Sequence, residues 1–242
     1  MRKIIVSIFL VLTFLCSPAM SITAVDWFKK ADVLKDGEKY TDPKKAIEYL
    51  NNGIKLKPNY AEAYYNRGVA YGNLGQQQHA IEDFNKAIRL KPDLAVAYYN
   101  RGVIYYGLGQ HQRGIEDFNQ AIRLKPDLAV AYVNRGVAYF NLGRYHSAIE
   151  DYNKAIWLKT DLADAYYNRG VVNSKLGQYQ RTLDDYSEAI RLRPDYGDAY
   201  YNRGVVYFNH GKKNLGCSDA QKACALGDCK LLEMAKGKGY CR

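Results

Sequence analysis

The sequence predicts an all-α protein, a right-handed α-solenoid of about six helix-turn-helix repeats with a disulfide-stapled C-terminal cap. Three observations carry that expectation. The segment AYYNRGV, or a close variant, recurs with its first tyrosine at Tyr64, Tyr98, Tyr132, Tyr166 and Tyr200, always 34 residues apart. Each unit divides into two stretches of helical apolar periodicity separated by a glycine from the series Gly75, Gly109, Gly143, Gly177 and Gly211. Cys217, Cys224, Cys229 and Cys241 crowd into the last 26 residues of the chain. With 48% hydrophobic and 25% charged residues in 242, a disordered tail is excluded.

The first 21 residues read as an export signal. Arg2 and Lys3 precede an uncharged run from Ile4 to Leu15, and small residues follow from Cys16 to Ser21. That run is too short to span a bilayer, so the mature chain is expected to have no membrane span and to be periplasmic or secreted. An uncleaved N-terminal anchor is the alternative. Leu15 stands before Cys16 where a lipoprotein signal wants a small residue, so a lipid anchor is disfavoured. The net charge is +10, and removal of Arg2 and Lys3 with a leader would lower it by two.

Residues 24–60 read as a degenerate first copy. Ala46, Leu50, Gly53 and Pro58 keep the second-helix positions, while the first helix, around Trp27, requires three extra residues near Gly37 to Tyr40. Four full copies follow at 61–94, 95–128, 129–162 and 163–196. In the first of them the helices are expected at about 62–74 and 78–91, the second ending in Arg89 and Lys91 at the negative end of its dipole. Pro92, Pro126 and Pro194 stop the second helices, and Asp93, Asp127, Asp161 and Asp195 then sit where a turn or the next helix start wants a short acceptor. A modified copy spans 197–228, with the small residues Gly216 and Ala220 in its second helix, and a capping helix and tail occupy 229–242. Each unit buries its apolar face only against its neighbours, so one elongated solenoid is expected instead of two globular domains.

Cys217 and Cys224 lie about 10 Å apart by helical rise, too far for a disulfide. A short helix after Gly227 would run back along its predecessor, bringing Cys229 near Cys224 and Cys241 near Cys217. The nested pairs 224–229 and 217–241 are therefore expected. A zinc site is the rival, but no C-x-x-C pair is present and an oxidising compartment disfavours it.

Period, helix pair and signature together resemble the tetratricopeptide repeat family. In the copy starting at Ala61 its pattern falls on Tyr64, Gly68, Tyr71, Ala80, Phe84, Ala87 and Pro92. Two departures stand out: Arg67 and its equivalents occupy a position that is usually leucine, and Asn173 replaces the tyrosine of the fourth copy. The resemblance implies a binding scaffold. Asn66, Asn100, Asn134, Asn168 and Asn202 occupy one interior helical position for which asparagine is a mediocre choice. The position resembles the asparagine ladder of the O-linked N-acetylglucosamine transferase superhelix, where side-chain amides on a concave face grip the backbone of an extended peptide. Tyr65, Tyr99, Tyr167 and Tyr201, with Val133 as the exception, and Tyr106, Phe140 and Phe208 further along would supply apolar contact. The alternative is that each asparagine links neighbouring first helices.

The positions where chaperone-binding members of the family hold a terminal carboxylate read Glu62, Val96, Val130, Asp164 and Asp198 at one offset. At the other they read Val69, Val103, Val137, Val171 and Val205. A C-terminal carboxylate ligand is thus disfavoured, and the acids could meet a basic or polar segment. Arg67, Arg101, Arg135, Arg169 and Arg203 each precede an aspartate by 16 residues, namely Asp83, Asp117, Asp151, Asp185 and Asp219. A structural Arg–Asp pair is expected in every full unit.

No catalytic constellation, phosphate loop or metal motif is present in the sequence, and His79, His111, His146 and His210 fall at unrelated positions of the repeat. A non-catalytic exported scaffold is expected, without cofactor, binding an extended segment of another protein, with a monomer favoured. Docking by another surface during envelope assembly or secretion is the alternative reading. Binding of an anionic polymer is another, and nucleic acid is not expected because no continuous basic stripe is present.

Overall fold

The computed structural model describes residues 22–37 and 39–241, so the expected leader, including Cys16, lies outside the described residues. Among the described residues twelve helices form six antiparallel pairs, and a thirteenth helix closes the C-terminal end. The first pair is α1 (Ala24–Asp32) and α2 (Pro43–Leu56), joined by an antiparallel hairpin of β1 (Lys35–Asp36) and β2 (Lys39–Tyr40). Next come α3 (Ala61–Asn73) with α4 (Gln77–Leu90), α5 (Ala95–Gly107) with α6 (His111–Leu124), and α7 (Ala129–Asn141) with α8 (Tyr145–Leu158). The series continues with α9 (Ala163–Lys175) and α10 (Tyr179–Leu192), then α11 (Gly197–Asn209) and α12 (Lys213–Ala225), before α13 (Lys230–Gly237).

The turns inside the five later pairs, from α3–α4 to α11–α12, share one chemistry. Leu74 caps α3, Gly75 follows at φ 71°, and Gln76 N–H returns to the Tyr71 carbonyl at 2.9 Å while Gly75 N–H reaches Gly72 O at 3.0 Å. This closing motif needs a left-handed residue, which glycine supplies without strain. The loop aspartates do not cap the following helices. Tyr60, Leu94, Leu128, Leu162 and Tyr196 are the N-cap residues and make no side-chain capping bond. Asp93 instead belongs to the turn, where its carbonyl accepts from Ala95 N–H at 2.9 Å.

Within a pair, the small residue at Gly68 lets the two helices close. A Cβ there would lie 2.8 Å from the Phe84 ring, and the same contact recurs between Gly102 and Phe118, Gly136 and Tyr152, and Gly170 and Tyr186. These four rings are buried at the centre of each pair. The fifth full unit has Ala220 at that position, and the ring's place over Gly204 is taken by Leu231 of α13, whose Cδ2 would be 2.8 Å from an added Cβ. Leu231 is fully buried. Gly216 in turn makes room for Phe208. The capping helix is thus core as well as cover, and Cys217 with Cys241 and Cys224 with Cys229 stand at disulfide distance around it.

The repeats are joined by an arginine that reaches three helices. Arg67 Nε and Nη2 donate to the two carboxylate oxygens of Asp83, both at 2.7 Å, and its Nη1 donates back to Asn51 Oδ1 on the preceding α2 at 2.6 Å. Arg101 does the same with Asp117 and Asn85, Arg135 with Asp151 and Asn119, and Arg169 with Asp185 and Asn153. Arg203 uses Asp219 and the Ser187 hydroxyl. Tyrosines three residues before and four after flank the guanidinium, as Tyr64 and Tyr71 do around Arg67 at 5.4 and 5.9 Å. In the fourth full copy Asn173 replaces the second tyrosine and donates to Asp185 Oδ2 at 2.8 Å.

Burial opposes the charge on Arg67, Arg101, Arg135 and Arg203, but the bonded aspartate outweighs it and holds each guanidinium above its ordinary pKa. An arginine here, unlike leucine, supplies a bidentate bond and a third donor at once.

Candidate functional site

First helices of adjacent repeats touch one another, α3 with α5, α5 with α7 and α7 with α9, whereas no two second helices pack as closely. The first helices therefore line the inside of the curve. On that inner face α3 carries Tyr65 and Asn66, then Val69 and Gly72 at successive helical turns, and later helices carry their equivalents.

The asparagines divide into two groups. Asn100 Nδ2 donates to the Tyr65 hydroxyl at 3.0 Å, Asn134 to Tyr99 at 2.9 Å and Asn202 to Tyr167 at 2.9 Å, each across a repeat boundary. Wherever the preceding repeat offers a tyrosine hydroxyl, the amide N–H takes it, at a net contribution of about 1 kcal/mol per bond. These three asparagines therefore link neighbouring first helices. The other two meet no hydroxyl, because the corresponding residue is Phe28 before Asn66 and Val133 before Asn168. Asn66 turns its Nδ2 to the Glu62 carbonyl at 2.9 Å, and its Oδ1 is buried with no donor. Such an unmet acceptor costs about 1–3 kcal/mol. Asn168 is half-buried and has no side-chain partner among the described residues.

The aromatic residues of the face are also engaged from behind. Tyr65, Tyr99 and Tyr167 pack on Phe84, Phe118 and Tyr186 with ring centres 5.8 to 6.1 Å apart, so only part of each ring is open. Tyr201 is half-buried and lies over the unit that lacks the second-helix ring. Tyr106 packs at a tilt on His111 and accepts from Asn141 Nδ2 at 2.8 Å, Phe140 packs on Tyr145, and Phe208 on Tyr240. Exposed apolar surface on these helices comes from Val103 and Val130.

The acids of the first helical turns are partly satisfied. Lys91 donates to Glu62 at 2.9 Å, and that bond holds the Glu62 carboxyl below its ordinary value. Burial would raise the Asp164 carboxyl, but bonds from Arg193 and from the Tyr196 hydroxyl outweigh it and hold it low. Asp198 is exposed and has no ion pair among the described residues, so it alone of the three keeps its charge open.

Sequence reading identified the Arg–Asp spacing and both cysteine pairs. It did not single out Asn51, Asn85, Asn119, Asn153 and Ser187, which complete each arginine's bonding 16 residues upstream. The signal was available: those positions also repeat every 34 residues. Among the described residues no group of three or more His, Cys, Asp or Glu side chains could hold a metal, and no helix is long and apolar enough to cross a membrane.

Stacked 34-residue helix pairs, tied by one repeated arginine and presenting a ladder of amides on the inner helices, define an α-solenoid repeat protein. The chain belongs to the tetratricopeptide repeat family: the tetratricopeptide repeat model matches residues 61–94 and 95–128, and a further TPR repeat model matches 32–75, 138–177 and 174–211. No curated protein matches it significantly. Among solved structures it is similar to MamA, at 26% identity and a TM-score of 0.62, covering 71% of this chain and 96% of the other. YrrB, described as a TPR protein with an unusual peptide-binding site, is 21% identical with a TM-score of 0.65, covering 79% and 99%. A tetratricopeptide repeat protein from Parabacteroides merdae is 21% identical with a TM-score of 0.70, covering 85% and 80%.

Proposed function

We propose that the chain is a non-catalytic scaffold, exported to a periplasmic or extracellular compartment, whose inner face holds an extended segment of a partner protein. One observation supports this most directly. The Oδ1 atoms of Asn100, Asn134 and Asn202 and the whole amide of Asn168 have no partner among the described residues, and they recur once per repeat beside exposed Val103 and Val130. A row of accessible amides separated by apolar surface suits the alternating polar and apolar character of an extended chain. The peptide-binding site described for YrrB is consistent with this at the level of fold. The hydroxyl-bonded asparagines keep their helices in register and offer their oxygens, whereas Asn168 can both donate and accept.

The test is capture of partners from an envelope extract by the mature protein and by an Asn168→Ala/Val130→Glu variant, at low and moderate salt. Both substitutions lie outside the core, and unchanged circular dichroism would verify the fold. Loss of one partner with the variant at both salt levels is the expected result. Equal recovery would move the site to another surface, and loss with salt alone would mark an electrostatic polymer binder.

A further inference from the structure

We propose that the outer side of the fourth full copy is a docking site for one aromatic side chain of a partner protein, seated where the chain's own tyrosine is missing. Four of the five full copies hold a ring against the repeated arginine: Tyr71, Tyr105, Tyr139 and Tyr207 each lie 5.9 Å from the guanidinium four residues before them. The fourth copy has Asn173 instead, whose shorter side chain donates to Asp185 Oδ2 at 2.8 Å. A cavity of about 370 Å³ adjoins it between the second helices α8 and α10, lined by Ile149, Asn153, Arg169, Asn173, Arg181 and Asp184, with Asp185 at its edge.

The walls identify the occupant. In the second full copy Tyr105 lies by two cations, Arg101 at 5.9 Å and Arg113 at 5.2 Å. The fourth copy keeps both, as Arg169 and Arg181, and Arg181 Nη1 donates to Gln178 Oε1 at 2.8 Å just as Arg113 Nη1 donates to Gln110 Oε1 at 3.0 Å. Tyr166 still covers one side of the Arg169 guanidinium, at 5.4 Å, and its other side has no ring among the described residues. The Arg169 side chain is accordingly 24% exposed, against 17–19% for its four counterparts. Ile149 tells the same story: Ile81, Ile115 and Leu183, its equivalents ahead of copies that keep the tyrosine, are buried, whereas Ile149 is only half-buried, as is Ile47 of the degenerate first unit.

Arg169 and Arg181 are balanced by Asp184 and Asp185, so the site favours neither a carboxylate nor an ammonium group. An uncharged ring keeps that balance, lies against two guanidinium groups and covers Ile149. Arg169 and Asn173 stand on a different face of α9 from Asn168, so this inference does not rest on the inner-face reading.

The experiment titrates the mature protein with N-acetyltyrosinamide, N-acetylphenylalaninamide and N-acetylcyclohexylalaninamide, and follows the Nε–Hε signals of Arg169 and Arg181. A stacked ring moves such signals upfield by its ring current. Asn173→Tyr, which seats a ring covalently at the same place, supplies the reference position for Arg169. Saturable upfield shifts of both arginines are expected with the two aromatic probes, at an affinity about two- to fivefold above that of the cyclohexyl probe, the ratio that an exposed cation–π contact supports.

Asn173→Tyr should lose binding of all three probes while the protein stays folded, because four copies carry that tyrosine beside the same arginine. Asn173→Ala leaves the cavity open and should keep binding, and Arg181→Met should diminish the preference for aromatic probes. Equal affinity for the phenylalanine and cyclohexyl probes, or binding unchanged in Asn173→Tyr, would overturn the proposal. Sedimentation equilibrium supplies the last arm. A monomer leaves the site free for a partner's ring, whereas a dimer that both Asn173→Tyr and Trp157→Ser dissociate would put the exposed indole of a second copy in the cavity and overturn a foreign occupant.

Discussion

The amide of Asn134 donates to the Tyr99 hydroxyl across a repeat boundary at 2.9 Å, and one repeat later Asn168 follows Val133 and makes no such bond. The difference is a valine in place of the tyrosine that carries the accepting hydroxyl, so it can be restored. Val133→Tyr should supply it and raise the melting temperature by about 2–4 °C, the shift that one hydrogen bond of ~1 kcal/mol produces in a chain of this size. It should also weaken capture of the groove's partner, because Asn168 would no longer donate freely. An unchanged or lower melting temperature would show that Asn168 cannot reach that hydroxyl.

Arg135 is bonded to Asp151 and Asn119 on two different second helices. Removing the arginine strands a nearly buried carboxylate, a loss of about 3–5 kcal/mol for a fully buried pair and less here because Arg135 partly reaches solvent. Urea unfolding of Arg135→Ala, Asp151→Ala and the double variant should show coupling of at least ~1 kcal/mol, and strictly additive losses would reject the pairing. Asn119→Ala should cost about 1 kcal/mol and act on the boundary between repeats, leaving the pair itself in place.

Acid should weaken the loops between repeats before it weakens the core. The carboxyls of Glu62 and Asp164 are held below their ordinary values in the folded chain. A depressed folded pKa gives stability that is present above the unfolded value and lost as pH falls through the folded one. The melting temperature of the wild type should therefore fall more steeply between about pH 5 and pH 3 than that of a Glu62→Gln/Asp164→Asn variant. Parallel curves would contradict the assignment.

The C-terminal cap should control fraying from that end. Leu231→Ala opens a cavity over Gly204 and should cost about 2–5 kcal/mol locally. Loss of the 217–241 bond through Cys217→Ala/Cys241→Ala should cost about 3 kcal/mol by the chain-entropy estimate. Hydrogen exchange should locate both effects in α11, α12 and α13, with α3 to α8 little changed, because a solenoid unit depends on its nearest neighbours. Uniform loss of protection along the chain would argue against a local role.

Much of this architecture was legible because its determinants lie inside one repeat. Gly75, the Arg67–Asp83 spacing and the two apolar stretches recur every 34 residues, and short-range chemistry explains each. Cys217 and Cys241 were legible through chain length and helix direction. The ladder was harder because Asn100 and Tyr65 are 35 residues apart in different units, and a series read within the repeat does not show which neighbour it faces. Leu231 was hidden for another reason: it fills a vacancy left by Ala220, and only the three-dimensional return of α13 shows that one replaces the other.

The arginine staple makes the repeats interchangeable parts. If residues 95–128 were excised, Arg135 would meet Asn85 in place of Asn119, and Asn134 would meet the Tyr65 hydroxyl in place of that of Tyr99, so both bonds would re-form from identical residue types. Excision of 163–196 would instead bring Asn202 to Val133, which has no hydroxyl to offer, while Arg203 would exchange Ser187 for Asn153. The protein's length is therefore adjustable in steps of one repeat through its first full units, and the junction at Val133 is where shortening or lengthening would leave a mark.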